Sequence, residues 1–529
     1  MKRILILATT AMIAAACAVP VTKDYELCLN DGPKCWGDQG DGTYVNPVLN
    51  ADYSDPDAIR YGDEYLLVAS DFHFMGIQLL KSKDMVNWEY VTQVYKRIDM
   101  PGYDTMEHYS HGSWAPTIRE HDGKLYVFFC TPTEGLFMTC AEKPEGPWSE
   151  PLFVHEGNTG RGWEDPCPFW DEDGQAYLGH SILGAGPIFV HKMAADGTRL
   201  LDDGVIVYEG PVAEGTKFHK MNGWYYLSIP EGGVGGGYQA VLRSKSIYGP
   251  YEKKVVLERG TTDINGPHQG ALLESPDGAW WFLHFQHTDV LGRVMHLQPV
   301  VWGEDGWPAF GVDLDGNGVG EPVYNWKMPV EGTVPSKPAS SDDFSEPELG
   351  VQWQWNHNPV DDAWSLTENP GSLTLHAIQA ADFLQARNSL TQKMFGYTGE
   401  MTVKLNLAGM EDGMRCGLAM MGGDQFLVGV RRDEGVTEIY QQNMVDDEFT
   451  VNEAVGLGNE NVWLRFTYDI KAEAYEMSWS VDAETFNAIG TGVKPCYGYW
   501  KGARPALYCY SENDKGGYAM FDYFNYSYN

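Results

Sequence analysis

The segment HDGKLYVFFC, residues 121–130, sets an Asp-Gly pair directly before an apolar run that contains a tyrosine. Asp-Gly and Asn-Gly are the strongest short signals for a β-hairpin, because both turn residues need positive φ. A turn glycine followed by an aromatic residue in an apolar run also occurs in four further segments: YGDEYLLVAS (61–70), EDGQAYLGHS (172–181), MNGWYYLSIP (221–230) and PDGAWWFLHF (276–285). The first two-thirds of the chain is therefore a repeat of hairpins.

The repeat has a period of 49 to 61 residues when it is aligned on the aromatic position. The aligned residues are Tyr65, Tyr126, Tyr177, Tyr226 and Trp281. This spacing is enough for one four-stranded sheet in each copy, and β repeats of this length are typical of propeller blades. Five copies predict a five-bladed β-propeller over residues 43–330.

Each copy also carries an unusual residue on the strand before its hairpin, 10 to 13 residues ahead of the aromatic position. The five residues are Asp55 (in YSDPDAI), Trp114 (GSWAPTI), Asp165 (GWEDPCPF), Glu214 (VAEGTKF) and His268 (NGPHQGA). The first strand of every propeller blade lines the central channel, so these side chains are expected to converge on one cavity. Three carboxyls there would repel one another and raise at least one pKa, which separates a general acid from a general base. Any one of these carboxylates alone could be a solvated residue at a strand end. Because they recur at a similar position in the repeat, a functional site is favoured.

The composition excludes several classes of protein. The 529 residues include 37 Lys and Arg against 74 Asp and Glu, which gives a formal charge of −37. So acidic a chain is repelled by nucleic acids and by anionic membranes, and neither is expected as a partner. An apolar fraction of 43% and an aromatic fraction of 13% exclude a disordered chain. The 30 Tyr and 18 Trp suit strands and, where exposed, suit stacking on sugar rings.

The N-terminus is predicted to be a secretion signal over residues 1–16. Lys2 and Arg3 precede an apolar run over residues 4–16 that is too short to span a bilayer. Small residues directly before Cys17 favour a bacterial lipoprotein signal with a lipidated Cys17; an ordinary signal cleaved nearby is the alternative. No other segment resembles a membrane span, so the lipid would be the only anchor. The mature chain is expected to be a periplasmic protein, or an outer-membrane or cell-surface lipoprotein, of a Gram-negative-type bacterium.

The cysteines and histidines do not form a transition-metal pattern. Cys28 and Cys35 lie in a Gly- and Asp-rich arm over residues 17–42 and could pair in an oxidising compartment. The other six cysteines have no C-x-x-C spacing and are expected to be buried thiols, and no H-E-x-x-H is present. The stretch VDLDGNGVGEP (312–322) resembles a calcium loop, but its twelfth position is Tyr324 rather than Glu, so a β-turn is expected.

A second module is predicted beyond a Pro- and Ser-rich linker at residues 331–341. Segments of alternating polarity predict an antiparallel β-sandwich over residues 342–529, among them SLTLHA, EMTVKLNL, QFLVGVRR, WLRFTYDI and YEMSWSV. No catalytic motif occurs in this part of the sequence. The whole chain is therefore expected to be all-β.

The order of the motifs in the first module resembles that of glycoside hydrolase family 43. The matching stretches are SDPD, WAP, WEDPCPFWDEDG, AEGTKFHKMNGWYYL, GPHQGALLESPDGAWWFLHF and GRVMHLQPVVW. The stretch SDDFSEPELGVQWQWNHNP and the closing YAMFDYFNYSYN resemble the concanavalin-like C-terminal module of many xylosidases in this family. The resemblance implies a five-bladed propeller that hydrolyses β-xylosides, α-L-arabinofuranosides or related bonds with inversion, and no cofactor is required for the chemistry.

The resemblance also assigns roles to the three carboxylates. It implies that Asp55 is the general base that activates water, that Glu214 is the general acid, and that Asp165 orients Glu214 and keeps its pKa high. An inverting glycosidase fits a water between base and sugar, so its two carboxyls are expected roughly 6.5–9.5 Å apart.

Neighbouring acids offer rival assignments. Asp57 and Glu164 lie one or two positions from the motif residues and are expected to point away from the channel if the strands alternate. Asp171, Glu172 and Asp173 lie on a hairpin turn and are expected to be solvated.

Further residues are expected to shape the sugar pocket. The resemblance implies that Phe72 and Trp114 are aromatic walls, although each alone would suit an ordinary core, and that Arg293 binds substrate hydroxyls. His268 resembles a histidine near the propeller axis that contacts a central ion, often calcium, through ordered water. A loop of the C-terminal module helps to close the site in relatives; Trp500 (in YGYWKGARPA) is the candidate for this contact, and a core strand residue is the alternative.

These features predict an inverting exo-glycosidase that removes xylosyl residues from xylan-derived oligosaccharides, a β-1,4-xylosidase. An α-L-arabinofuranosidase on arabinose-decorated glycans is the nearest alternative, and an endo-arabinanase is a further one. A surface protein that binds glycans without cutting them is the alternative from a different class. A lectin needs neither acid nor base, so the presence of both Asp55 and Glu214 in one closed pocket separates the two classes.

Overall fold

The computed structural model describes residues 35–105, 107–157, 161–446, 448–490 and 494–529. The signal segment, Cys17 and Cys28 lie outside the described residues, and so does the expected pairing of Cys28 with Cys35. Strands make up almost all regular structure in the described part of the chain, with a single 3₁₀ turn at Asp361–Ala363. No helix in this part is long and apolar enough to cross a membrane.

The first module is a five-bladed β-propeller, as predicted, in which every blade is an antiparallel four-stranded sheet. Two short strands, β1 (Gly37–Asp38) and β2 (Thr43–Val45), precede the blades. The blades are β3 (Ser54–Tyr61), β4 (Glu64–Ser70), β5 (Gln78–Ser82) and β6 (Glu89–Gln93); β7 (Trp114–His121), β8 (Lys124–Thr131), β9 (Gly135–Ala141) and β10 (Leu152–Glu156); β11 (Trp163–Trp170), β12 (Ala176–Ile182), β13 (Ile188–Met193) and β14 (Val205–Tyr208); β15 (Lys217–Met221), β16 (Trp224–Glu231), β17 (Tyr238–Ser244) and β18 (Glu252–Leu257); and β19 (His268–Glu274), β20 (Trp280–His287), β21 (Arg293–Trp302) and β22 (Pro308–Phe310).

The first strand of each blade contacts the first strands of other blades around the centre of the ring. At the start of each of these inner strands one residue has a left-handed φ of 43° to 62°: Asp55, Ala115, Asp165, Gly215 and Gln269. In four of the blades the pairing register shifts at this point, as at a β-bulge. The bulge breaks strict alternation, so two consecutive side chains can turn toward the centre at this point of the strand.

The N-terminal segment closes the ring against the last blade. The strand β2 pairs with β23 (Asn325–Lys327), and β1 pairs with β2. The buried side chain of Asn46 donates to the carbonyls of Leu297 and Val323 at 2.9 and 2.8 Å, and the Leu297 amide donates back to it at 2.8 Å. This network joins the start of the propeller to its end, so the ring cannot open at the seam without exposing buried polar groups.

The second module is a sandwich of two antiparallel sheets, as predicted, apart from one short parallel pair. Its strands are β24 (Gln354–Trp355), β25 (Trp364–Ser365), β26 (Leu373–His376), β27 (Ile378–Gln379), β28 (Leu390–Thr391), β29 (Thr398–Asn406), β30 (Met414–Met421), β31 (Gln425–Asp433), β32 (Val436–Val445), β33 (Glu448–Gly456), β34 (Asn461–Asp469), β35 (Ala474–Ser480), β36 (Asn487–Ala488), β37 (Arg504–Ser511) and β38 (Tyr518–Tyr528). One sheet has the order β24-β28-β37-β30-β31-β32-β33, with β27 beside β37, and the other has the order β25-β26-β38-β29-β34-β35-β36.

The two modules share a buried boundary. One hydrophobic cluster runs from the first and last blades into the sandwich. Within the boundary Lys393 of the sandwich forms an ion pair with Asp71 of the first blade at 3.0 Å, with both side chains almost fully buried. Asp52 accepts hydrogen bonds from the amides of Arg293 and Gly502, one in each module. The sandwich is therefore fixed against the part of the propeller that carries Asp55 and Arg293.

Candidate active site

Asp55 lies at the bulge of the first blade with φ of 50° and is 8% exposed. One of its carboxylate oxygens forms an ion pair with Arg293, which comes from the fifth blade. The other oxygen accepts the Ser70 hydroxyl at 2.7 Å, and Ser70 in turn accepts the Ala115 amide of the second blade at 2.7 Å. Three blades therefore hold this carboxylate in one orientation.

Asp165 occupies the same bulge position in the third blade, with φ of 56°. Its Oδ2 accepts the Ser181 hydroxyl at 3.0 Å and the backbone amide of Gly215 at 2.8 Å, and its Oδ1 accepts the side-chain amide of Gln269 at 2.8 Å. Burial and the nearby charge of Asp55 raise the pKa of Asp165, and the hydrogen bonds from Gly215 and Ser181 and the charge of Lys217 oppose the rise. The residue joins the third, fourth and fifth blades.

Glu214 immediately precedes the left-handed Gly215 of the fourth blade, and its side chain is 20% exposed. Burial, followed by the charges of Asp165 and Asp55, raises the pKa of Glu214 to about 8. The imidazole of His268 lies 3.7 Å from it, is fully buried, and has a pKa lowered to about 3 by burial and by the charge of Arg293. At neutral pH the Glu214 carboxyl is therefore protonated and the neighbouring His268 is neutral. The Glu214 side chain is in partial contact with solvent.

The prediction that Glu164 points away from the channel is wrong. Its carboxyl lies within 4.8 Å of those of Asp165 and Glu214, and the side chain is 7% exposed. The reason is the bulge, because Glu164 and Asp165 flank the break in alternation and both turn toward the site. In the blade repeat Glu164 is the counterpart of Glu214, since each directly precedes a left-handed residue. Burial and the charges of Asp165 and Glu214 raise its pKa to about 9.

Two other neighbouring acids lie outside the carboxylate cluster. Asp57 is buried and accepts hydrogen bonds from Arg119 at 2.6 Å and from the Ile118 amide at 2.9 Å, both in the second blade. The expectation that Asp171 is solvated is wrong: it is 8% exposed because it pairs with Lys220 and accepts the Tyr225 hydroxyl.

Glu172 and Asp173, which follow Asp171 in the turn, are exposed. They occupy the tip of the β11–β12 hairpin, where water solvates their carboxylates.

The aromatic residues form a rim that includes both modules. Phe72 is buried and meets Trp114 edge-on, with ring centroids 5.5 Å apart. Trp114 in turn meets Trp500 of the sandwich at 5.9 Å, and Trp500 is 50% exposed. Beside this contact Tyr499 meets Tyr109 at 4.9 Å. Trp500 therefore lies on a loop at the propeller rim, and the alternative of a core strand residue is wrong.

Several polar residues of the site carried no signal in the sequence analysis. Gln269, Ser70 and Ser181 each donate to Asp55 or Asp165. Gln269 would have been found by alignment on the bulge, because it occupies the same position as Asp55 and Asp165. The serines lie on second strands, opposite the bulges, and only the strand pairing brings them to the carboxylates.

The fit of a cation near His268 depends on the donors around it. Both ring nitrogens are buried without a hydrogen-bond partner among the described residues, so the imidazole can take a ligand. Ca²⁺ prefers six to eight oxygens, and Glu214 is the only carboxylate of the described residues within 4.0 Å of a nitrogen of this ring. Further along the inner strands Lys217 donates to Thr117 at 2.7 Å across the ring, which places an ammonium in the channel. These residues fit only an ion coordinated mostly by water.

The 312–322 stretch forms a turn. The carboxylate of Asp313 accepts the backbone amides of Gly316, Asn317 and Gly318 at 2.7–3.2 Å. Those amides occupy the oxygens that a calcium loop would turn toward the ion.

The geometry joins two carboxyls in different environments. Asp55 is paired with a cation, while Glu214 keeps its proton at neutral pH and has access to solvent. A proton donor and a proton acceptor on different walls of one ring can cleave an acetal bond by general acid and general base catalysis.

Each of the two modules matches a model of a known protein family. The family model described as "Glycosyl hydrolases family 43" matches residues 44–308. The model described as "Beta xylosidase C-terminal Concanavalin A-like domain" matches residues 341–527. A solved structure of a bifunctional GH43-CE protein of Bacteroides eggerthii superposes with a TM-score of 0.81 at 30% identity, over 91% of this chain and 63% of that one.

Three named relatives agree with the family match. A Xylanibacter ruminicola protein named "Putative beta-xylosidase" is 52% identical over 472 residues, which are 89% of this chain and 87% of the relative. The "Beta-xylosidase" of Formosa agariphila is 36% identical over 93% of this chain and 92% of its own. The "Non-reducing end alpha-L-arabinofuranosidase BoGH43B" of Bacteroides ovatus is 32% identical over 63% of this chain and 65% of its own. Because the family model matches half of the chain and a relative covered almost in full is 52% identical, the chain belongs to glycoside hydrolase family 43.

Proposed function

We propose that this glycoside hydrolase is an inverting exo-β-1,4-xylosidase that releases xylose from xylan-derived oligosaccharides. The observation that carries the proposal is that the ion pair of Asp55 and Arg293 lies in one ring with Glu214, whose pKa is raised to about 8. The names of the Xylanibacter and Formosa relatives support xylose as the sugar.

In the proposed reaction Glu214 donates its proton to the glycosidic oxygen as the bond to the anomeric carbon breaks. Asp55 takes a proton from a water that attacks the opposite face of the same carbon, so the configuration inverts. Asp165, fixed by the Gly215 amide next to Glu214, holds the acid in place, and its charge helps to keep the acid protonated. The reaction consumes one water and uses no cofactor.

The remaining polar and aromatic residues are assigned to substrate binding. Arg293 carries donors beside the base and is proposed to bind sugar hydroxyls there. Phe72 and Trp114 are proposed as the wall of the sugar pocket, and Trp500 as the contact supplied by the sandwich. The partial exposure of Trp500 supports a surface that a sugar ring can cover.

An α-L-arabinofuranosidase is the second candidate, favoured by the similarity to the Bacteroides ovatus protein. The deciding experiment compares kcat/KM of the purified enzyme on aryl β-xyloside and aryl α-L-arabinofuranoside. A clear preference for the xyloside supports the proposal, and a clear preference for the arabinoside replaces it with the second candidate. If the folded protein hydrolyses neither substrate, both enzymatic candidates are contradicted and the glycan-binding alternative is favoured.

A water-coordinated cation at His268 is proposed as a structural element only. The orphaned ring nitrogens support it, and the Lys217 ammonium in the channel limits how much positive charge can be added. If the ion is calcium, a chelator is expected to lower the melting temperature while turnover at low temperature persists, and added Ca²⁺ restores stability. A melting temperature that does not respond to chelator and Ca²⁺ would exclude the ion.

The proposed location is outside the cytoplasm, with a lipid on Cys17 as the anchor. The support is the charged and apolar N-terminal segment and the small residues before that cysteine. Labelled fatty acid should be incorporated by the full chain and not by the Cys17→Ser variant. Equal absence of label from both would favour the ordinary signal.

A further inference from the structure

Glu164 has no part in the reaction proposed above, although it lies within 4.8 Å of both Asp165 and Glu214. A carboxyl that is 7% exposed beside two other acids is costly unless it is neutral and hydrogen-bonded. Its Oε1 accepts the backbone amide of Ala185 at 2.8 Å.

The hydrogen bond to Ala185 fixes an unusual turn. Gly184, Ala185 and Gly186 all have left-handed φ values, of 82°, 72° and 55°. An alanine in this region is strained and persists only where its surroundings hold it. The Glu164 carboxyl is the side chain that holds this amide.

The Gly184–Gly186 turn is itself hydrogen-bonded to the backbone next to Glu214. The Gly186 amide donates to the carbonyl of Ala213 at 2.6 Å, and Ala213 directly precedes Glu214. On the other side of Glu214, the Gly215 amide donates to Asp165 at 2.8 Å. The peptide groups on both sides of the acid are therefore bound, directly or through one turn, to the adjacent pair Glu164 and Asp165.

We propose that Glu164 is a positioning residue for the general acid, which it holds through the Gly184–Gly186 turn while Asp165 holds it directly. The inference rests on the proposed function, because it assigns Glu164 to the acid half of that mechanism. Its pKa is raised to about 9, so at neutral pH it adds little negative charge beside Glu214.

The test compares Glu164→Ala and Glu164→Gln on xylobiose and on an aryl β-xyloside with an activated leaving group. Only the first substrate depends on the acid. We expect Glu164→Ala to lose at least about tenfold more kcat/KM on xylobiose than on the aryl xyloside. Glu164→Gln keeps an oxygen that accepts the Ala185 amide and should stay within about threefold of wild type on both.

The pH profile supplies a readout that a general loss of structure would not move. The groups that face Glu214 are Asp55, Asp165, Glu164, Arg293 and His268. Removal of the Glu164 side chain admits water, and burial is the largest cause of the raised pKa of Glu214. The basic limb of kcat/KM on xylobiose should therefore move to lower pH in Glu164→Ala, by about one unit, and stay in place in Glu164→Gln.

Equal losses on both substrates in Glu164→Ala, or the same defect in Glu164→Gln, would overturn the inference. If Glu164→Ala does not fold, Glu164→Asp takes its place, because its carboxyl is one methylene short of Ala185 and the same selective loss is expected. Glu172→Ala, on the exposed turn of the same blade, is the matched control. If the wild-type enzyme is inactive on both xylosides, the proposed function is refuted. This outcome is distinct from a failure of the inference about Glu164, which is judged from the variants of an active enzyme.

Discussion

The guanidinium of Arg293 forms an ion pair with the carboxylate of Asp55, and the two residues come from the last and the first blade of the ring. The pair lies beside the seam where the propeller closes, and Asp52 binds the Arg293 amide at the same seam. The proposed base is therefore oriented by the closure of the ring itself.

Asp55→Asn is expected to abolish turnover on every substrate, because the amide cannot take a proton from the attacking water. The loss in kcat should be at least about 100-fold, and it should be as large on an activated aryl xyloside as on xylobiose. Asp63→Asn, on the exposed turn of the same blade, is the control. Substantial activity of Asp55→Asn on the aryl xyloside would place the base elsewhere.

Glu214→Ala is expected to separate substrates by their leaving groups. Hydrolysis of xylobiose should fall about 100-fold or more, because the departing sugar hydroxyl needs a proton. An aryl xyloside with a strongly acidic phenol needs none and should lose less than about tenfold. Steady-state kinetics on both substrates measure the difference, and equal losses would remove the acid role from Glu214.

The pH dependence of kcat/KM should show a basic limb near pH 8 on xylobiose. The pKa of Glu214 is raised to about 8, so the acid holds its proton below that pH and loses it as the pH rises through 8. The activated aryl xyloside does not need this proton and should lack the limb. A basic limb of the same position and depth on both substrates would assign it to another group.

Trp500→Ala is expected to weaken substrate use although it lies in the sandwich and far along the chain from the carboxylates. The indole meets Trp114 at the rim and is half exposed, so its removal deletes contact area for the sugar. We expect kcat/KM to fall about tenfold, mainly through a higher KM, with little change in melting temperature. Phe449→Ala, an exposed aromatic on the outer strand β33, should leave the kinetics unchanged. A wild-type KM in Trp500→Ala would limit the sandwich to a structural role.

Much of this molecule was predictable from local sequence. The five hairpins with their turn glycines specify the blades, because turn geometry and alternating polarity act within about ten residues. The repeat also predicted that Asp55, Asp165 and Glu214 meet, because similar positions of the blades converge on the axis of a propeller. The structure shows that Asp55 and Asp165 occupy the bulge position itself, and that Glu214 lies one residue before it. The second module followed from the same alternation.

The finer geometry depended on interactions that no local pattern contains. Strict alternation along the strand predicted that Glu164 points away from the channel. The bulge at Asp165 instead turns both Glu164 and Asp165 toward the centre. This bulge depends on the pairing of β11 with β12, which the sequence of β11 alone does not show. Asp171 looked like a solvated turn residue because its partner Lys220 lies 49 residues away.

The sequence by itself determined the blades and the sandwich, because these depend on local chemistry and on a regular repeat. Only the tertiary structure decided which acid has a raised pKa, which cation pairs with Asp55, and which aromatic ring of the sandwich reaches the propeller. Each of these depends on distances and burial among residues far apart in the chain, and charge interactions and desolvation respond to those distances alone.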